Sequence, residues 1–229
     1  MTKFDQIMLE YSRKHEDEIQ DEIQDEIKNA STEKSSQIAS LIKKTLSSGH
    51  KVYLCTDWHL WRCTDKKART IKERSDKDTV INKFNSIVTD NDLVIYMGDL
   101  CDGECEKKQQ LGQILDSLHG TKILVRGNND LFDDSYYLEH GFKYVTPKFI
   151  YDNILFSHLP ASHNNRMNIH GHLHGYATYW MPYNNMIDVA FCGGRKEPVE
   201  LQTVINALPA YKKKAKEVPE RFEQEFAHL

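Results

Sequence analysis

Long apolar runs are missing from this sequence: no stretch approaches the roughly 20 residues that a membrane-spanning helix requires, and a helical membrane protein is therefore excluded. A disulfide pattern is missing too. The five cysteines, Cys55, Cys63, Cys101, Cys105 and Cys192, are odd in number and nowhere form a CxxC pair, so neither a disulfide framework nor a zinc knuckle is indicated. Nothing near Met1 resembles the apolar segment of a secretory leader. A reducing, cytoplasmic setting without membrane association is the expectation. There is also no basic stripe. Residues 1–30 hold nine acidic and four basic side chains against a total charge of −4, which leaves the rest of the chain close to neutral. Lys212, Lys213, Lys214 and Lys216 form the only lysine cluster and read as a solvated helix face, so nucleic acid is not indicated as a partner.

What is present is the composition of a folded protein, 28% charged and 39% hydrophobic in 229 residues. That length accommodates one sizeable α/β domain with an extension. DEIQDEIQDEI, from Asp17 to Ile27, repeats every four residues and sets Ile19, Ile23 and Ile27 along one helical stripe. Asn29 to Thr32 interrupts it. A second helix follows, with Ile38, Leu41, Ile42 and Leu46 on one face and Gly49 at its end. Residues 1–48 thus read as an N-terminal helical extension, either lying on the flank of the main domain or serving as a homodimerising arm. Residues 49–229 read as the main domain, with a helical segment at its C-terminus.

From Lys51 the pattern becomes strand, loop and helix in repetition. Lys51 to Cys55, Leu93 to Met97 and Lys122 to Val125 are apolar strands, with helical spacing over Thr79 to Val88 and Gln109 to Leu118 between them. Each strand runs into a polar motif, and in α/β sheets ligands collect at the carboxyl ends of strands. Phe149 to Tyr151, Ile154 to Ser157, Met167 to His170 and Met186 to Phe191 read as a β-meander.

Five motifs carry the chemistry. Asp57-Trp58-His59 offers a carboxylate and an imidazole on one side of an extended segment. Gly98-Asp99 offers a carboxylate with two oxygens for a pair of ions. Gly127-Asn128-Asn129-Asp130 adds a neutral amide oxygen, His158 an imidazole after an apolar strand, and Gly171-His172-Leu173-His174 two imidazoles at i and i+2. A lone Asp after a strand is usually a turn residue, and a lone His usually structural. Five such motifs, each at a strand end, are a metal-site constellation. Donors of this kind without thiolate suit Mn, Fe or Zn, with Mn favoured.

The order DxH, GD, GN, H and GHxH resembles the calcineurin-like metallophosphoesterase superfamily over roughly Val52 to Arg195. The resemblance implies an α/β fold, a sandwich of two β-sheets flanked by helices, and two metals at the strand ends. By it, Asp57, His59 and His174 hold the first metal, Asn128, His158 and His172 hold the second, and Asp99 bridges them. It further implies that a hydroxide between the metals attacks the phosphorus of a phosphodiester or an activated monoester. Asp99, Asn128, Asn129 and Asp130 are the catalytic residues on this reading. One departure stands out: the family's GNH histidine, assigned to protonating the leaving oxygen, is Asn129 here, giving GNND. Smaller bacterial and phage-type phosphodiesterase-like members also lack it. GDLCDG likewise differs from the GDxVDRG of the phosphoprotein phosphatase branch. The alternative is a binding module that keeps the fold without turnover, resembling the phosphoesterase-like subunit of retromer.

Arg62, Arg126 and Arg195 stand near the motifs, where a guanidinium can hold phosphate oxygens bidentately, and Arg62 and Arg126 are the substrate-binding candidates. Trp58, Trp61 and Trp180 offer stacking surfaces, but core packing of at least two of them is the preferred reading. His170, in phase with His172 and His174, is either a supporting or a purely structural residue, and His163 is a candidate source of the missing proton.

Overall fold

Alternate side chains of three short strands point to opposite sides of one sheet, and this fixes the layering. In β1 (Val52–Cys55), Tyr53 and Cys55 enter one core while Val52 and Leu54 enter another. In β2 (Leu93–Tyr96), Val94 and Tyr96 part from Leu93 and Ile95; in β3 (Thr121–Val125), Leu124 parts from Ile123 and Val125. A sheet buried on both faces is built from continuous apolar runs, which is why these strands show no polar alternation. The structure, a computed structural model, describes residues 33–60, 77–101, 108–161, 166–175, 180–195 and 197–217.

The first core lies between this sheet and three helices, α2 (Lys77–Ile87), α3 (Lys108–Ser117) and α4 (Asp134–Glu139). Phe84, Leu111, Leu115 and Tyr137 face the sheet there. Trp58 stands edge-on to Phe84 and Tyr96 at centroid distances of 5.5 and 5.3 Å, so it packs in the core and offers no exposed face for stacking on a substrate. The second core lies between the two sheets. The second sheet comprises β5 (Lys148–Tyr151), β6 (Ile154–Ser157), β7 (Met167–His170) and β8 (Met186–Asp188). Phe149 and Phe156 stack at 4.5 Å on its inner face beside Ile169 and Ile187. Two more helices close this core: α1 (Glu33–Ser47), through Ile38 and Ile42, and α6 (Leu201–Glu217), through Leu201, Val204 and Leu208. A four-residue helix, α5 (Trp180–Tyr183), precedes β8. The architecture is the helix-flanked two-sheet sandwich expected from the sequence.

The first sheet has the order β4-β3-β2-β1-β9, where β4 is Phe142–Thr146 and β9 is Val199–Glu200. β1 to β4 run parallel and β9 antiparallel. The second sheet, β5-β6-β7-β8, corrects the expected meander: β5 and β6 form an antiparallel pair, but β6, β7 and β8 are mutually parallel. Parallel pairing brings the carboxyl ends of these three strands to one edge, which a meander would not. The last strand also stops at Asp188, and Val189 to Phe191 turn away.

At the opposite edge Asp92 ties the entries of the strands. Its carboxylate accepts the Lys51 N–H at 2.8 Å, the Thr89 N–H at 2.9 Å and the Thr89 hydroxyl at 2.7 Å. The second predicted helix is α1, and its burial against the sandwich makes it part of the main core. The Asp17–Ile27 repeat lies outside the described residues. No helix among the described residues is long and apolar enough to cross a membrane.

Candidate metal centre

The ladder between β1 and β2 continues past the ends of both strands. Met97 N–H donates to the Cys55 carbonyl (2.7 Å), Asp57 N–H to Gly98 (3.0 Å), His59 N–H to Asp99 (3.0 Å) and Leu60 N–H to Leu100 (3.0 Å). Continuing it here requires unusual backbone. Asp57, His59 and Asp99 have φ of 52°, 45° and 56°, and His172 and His174 in the loop after β7 have 70° and 55°. L-residues visit this left-handed region rarely, and Asp and His more readily than most. Gly98, at φ 90°, could not carry a side chain: a Cβ there would sit 2.6 Å from the Gly127 nitrogen and from His158 Nδ1. Its bareness lets three loops close on one another.

The loops bring together two groups of donors. In the first, His59 Nε2 and His174 Nε2 face each other at 3.0 Å, and each stands 3.7 or 3.6 Å from Asp57 Oδ1. In the second, His158 Nε2 lies 3.4 Å from Asp99 Oδ2, 3.3 Å from His172 Nδ1 and 3.1 Å from Asn128 Oδ1. Asp99 Oδ2 is also 3.5 Å from His59 Nε2 and so stands between the groups. Donor atoms about 2.1 Å from a shared tetrahedral ion are separated by about 3.4 Å, so these spacings fit one cation in each group.

The tautomer of His158 reinforces that fit. Its Nδ1–H donates to the Met97 carbonyl at 2.7 Å, which leaves the Nε2 lone pair facing Asp99, Asn128 and His172. Acceptors converging in this way require a positive charge among them. The titration of His158 agrees: burial pushes it down, but Asp99 outweighs burial and raises it above an ordinary histidine. For Asp99, burial acts upward, and the His158 and Asn129 hydrogen bonds outweigh it to hold the carboxyl well below the usual range. Asp57 is lowered in the same way, by His59, His158, His174 and Thr56 against burial. Burial, and then His158, lowers His172. The cage therefore favours ionised carboxylates and a neutral His172.

Several neighbours fix these donors in place. Thr56 Oγ1–H donates to Asp57 Oδ2 at 2.7 Å, and His172 N–H reaches the same carboxylate at 3.0 and 3.2 Å. Asn129 donates to Asp99 twice, through its backbone and its side-chain amide. Asp130, expected among the catalytic residues, is corrected to a positioning residue. It is 2% exposed, and its carboxylate accepts the backbone N–H groups of Asp99, Leu100 and Gly127 at 2.8 to 3.0 Å, locking two loops together. Burial pushes this carboxyl up to about 6.

Arg126 is corrected as well. Its guanidinium pairs with Asp134 at 2.6 Å and donates to the carbonyls of Asp130 and Phe132, so it holds the turn after the GNND motif and is not free for phosphate. Arg62, His163 and Trp61 lie outside the described residues, as does the Trp180 side chain. Arg195 donates from Nε to the Asp57 carbonyl at 3.0 Å, on the wall of the first group. His170 is fully buried with Nδ1 on the Gly171 carbonyl, and burial pushes it down to about 4, so it is a structural histidine. Two residues escaped the sequence reading, Thr56 and Asp188. Asp188 is fully buried and accepts N–H groups from Gly175 and Ala190.

Parallel strands of two facing sheets, ending in paired Asp/His groups, define a metallophosphoesterase-type fold and site. The chain matches the family described as Calcineurin-like phosphoesterase over residues 50–220 and belongs to it. It is similar to an uncharacterized protein of Methanocaldococcus jannaschii, 27% identical over 105 residues in a match that covers 43% of this chain and 58% of that one. The chain thus spans a little over half the length of that relative. A crystal structure of a protein of unknown function from Aquifex aeolicus shares the fold, with a TM-score of 0.50 and 19% identity over 69% of this chain and 99% of the other. A Pseudomonas putida nuclease is more distant, with a TM-score of 0.43 and 14% identity over 55% of this chain and 62% of the other.

Proposed function

We propose that this protein is a dinuclear metal-dependent phosphoesterase that hydrolyses phosphodiesters or activated phosphomonoesters of small molecules. The position of Asp99 Oδ2, 3.5 Å from His59 and 3.4 Å from His158, carries the reading, because one carboxylate oxygen serves both donor groups. Two divalent cations held there would supply an acidified water as nucleophile and charge neutralisation at the phosphoryl oxygens. Imidazole, carboxylate and amide donors without thiolate favour Mn, Fe or Zn, and Mn is our choice.

The chain's own groups complete the site. Arg195, pinned by Nε to the Asp57 carbonyl, keeps its terminal nitrogens for a phosphoryl oxygen of the substrate. Asn129 can donate hydrogen bonds to that group but holds no transferable proton. Substrates whose leaving oxygen departs without protonation are therefore preferred. The free thiols of Cys55, Cys101 and Cys192 support a reducing, cytoplasmic setting.

The test is hydrolysis of bis-p-nitrophenyl phosphate by metal-stripped protein titrated with Mn. Turnover rising with the binding of two ions per chain is the expected result. Two bound ions without turnover would assign the fold to a binding module, and no binding at all would overturn the metal-centre reading.

A further inference from the structure

We propose that Asp188 is a positioning residue for His174, so that it controls occupancy of the first donor group while leaving the second largely untouched. This rests on the metal-centre reading above.

Asp188 closes β8 directly opposite His170 in the parallel ladder and is fully buried. Its two oxygens are divided between two segments. Oδ2 accepts the N–H of Gly175, the residue after His174, at 3.0 Å, and Oδ1 accepts the N–H of Ala190 at 2.7 Å. No lysine or arginine among the described residues pairs with it. A carboxylate buried without a cation is costly, and packing alone has no use for one. The neighbouring backbone shows what it does. His172, His174 and Gly175 all have left-handed φ, so the 171–175 segment makes no regular ladder and relies on individual tethers.

Those tethers differ for the two histidines. His172 is held through its own N–H, which donates to the Asp57 carboxylate. His174 is held at its C-terminal side by Gly175, which Asp188 fixes against Ala190. A Cβ on Gly175 would lie only 3.3 Å from the Ala190 carbonyl oxygen, so the two segments are already in close contact. Loss of the Asp188 tether therefore frees the His174 end of the loop, while the His172 end keeps its anchor. Burial, and then Asp57, push this carboxyl up, but with an N–H donor on each oxygen the ionised form is the one that satisfies both, and asparagine cannot replace it because its NH2 group would face one of the two donors.

The experiment is Mn titration followed by calorimetry and electron paramagnetic resonance on the full chain. Wild type is expected to take two ions with an exchange-coupled spectrum. Asp188→Asn is expected to keep one ion within about threefold of wild-type affinity and to bind the other roughly 10- to 100-fold more weakly, the usual effect of losing a group that orients a ligand. Its spectrum at one equivalent should be that of isolated Mn. A double-mutant cycle assigns the lost ion: Asp188→Asn should add little to His174→Gln and its full effect to His172→Gln. Gly175→Ala, which strains the same tether and leaves Asp188 in place, should reproduce the selective loss and serves if the Asn variant does not fold. Wild-type affinity for both ions in these variants, or equal weakening of both, overturns the proposal. A wild-type protein that does not take two ions would instead overturn the metal-centre reading.

Discussion

The side-chain amide of Asn129 donates to Asp99 Oδ2 at 2.7 Å while its backbone N–H donates to Oδ1 at 2.9 Å, so one residue grips both oxygens of the carboxylate between the two donor groups. Asn129 is thus an orienting group that has no proton to release. The rate is expected to depend steeply on leaving-group pKa, with aryl diesters far ahead of alkyl diesters, since general acid catalysis is typically worth about 100- to 10,000-fold. Asn129→His should help alkyl esters more than aryl esters. Assaying a series of substituted phenyl and alkyl diesters on both proteins decides the matter, and a wild-type rate indifferent to leaving group would refute the assignment.

Asp99 is the one carboxylate shared by both groups, and this separates it from Asp57. Asp99→Ala is expected to abolish turnover and weaken both ions together, whereas Asp57→Ala should mainly affect one. Elemental analysis of each purified variant reads the difference directly. Two ions retained at wild-type affinity in Asp99→Ala would show that its oxygen is not shared.

Two arginines near the motifs should respond in opposite ways. Arg195→Gln is expected to raise KM for phosphodiesters about tenfold or more, because on the proposed reading its terminal nitrogens hold a phosphoryl oxygen, and to cost no more stability than the single Nε bond to the Asp57 carbonyl that it removes. Arg126→Gln should leave KM nearly unchanged in the protein that remains folded and lower stability by about 1–3 kcal/mol, because it leaves the Asp130 and Phe132 carbonyls without a donor. Steady-state kinetics beside thermal melts test both, and a reversed pattern would exchange their roles.

Asp92 links stability to pH at a place remote from the chemistry. Burial acts to raise its carboxyl, but the Lys51 N–H and the Thr89 hydroxyl and N–H outweigh burial and lower it. A carboxyl depressed in the folded state contributes stability that is fully present above its unfolded pKa, about 4, and is lost as pH falls through the folded value. Asp92→Asn should therefore cost about 1–3 kcal/mol at neutral pH. The gap between variant and wild type should close below about pH 4. Urea denaturation at pH 7, 5 and 3 measures it, and a gap independent of pH would mean that the carboxylate's charge plays no part.

Much of this site was legible because the donors come within a few residues of an apolar run, as Asp57 follows VYLCT and Asp99 follows LVIYMG. Strand ends can be read from hydrophobic pattern, and the two-sheet arrangement followed from the resemblance. Pairing direction cannot be read in the same way. Ile154 to Ser157 and Met167 to His170 have the same local pattern whether parallel or antiparallel, so successive short apolar runs read as a meander where the strands are parallel. Arg126 misled because a guanidinium beside a metal motif looks alike whether it faces solvent or its own turn. Asp188 was invisible because a single aspartate after two apolar residues carries no signal until the Gly175 and Ala190 N–H groups are seen to converge on it.

Eight non-glycine residues among those described have left-handed backbone, and five of them, Asp57, His59, Asp99, His172 and His174, line the candidate metal centre. Such a conformation costs of order 1–3 kcal/mol at an ordinary residue, and less where Asp or His stands. Glycine at His174 would relieve that cost, offset in part by about 0.5–1 kcal/mol of added unfolded-state entropy. Durability and reactivity thus pull this chain toward different sequences. A selection that rewarded heat tolerance alone, in metal-free conditions, should enrich glycine at these positions and silence the protein as it hardens it. Among descendants, the persistence of bulky side chains where the main chain favours glycine would then be a mark of lineages still under pressure to perform the reaction.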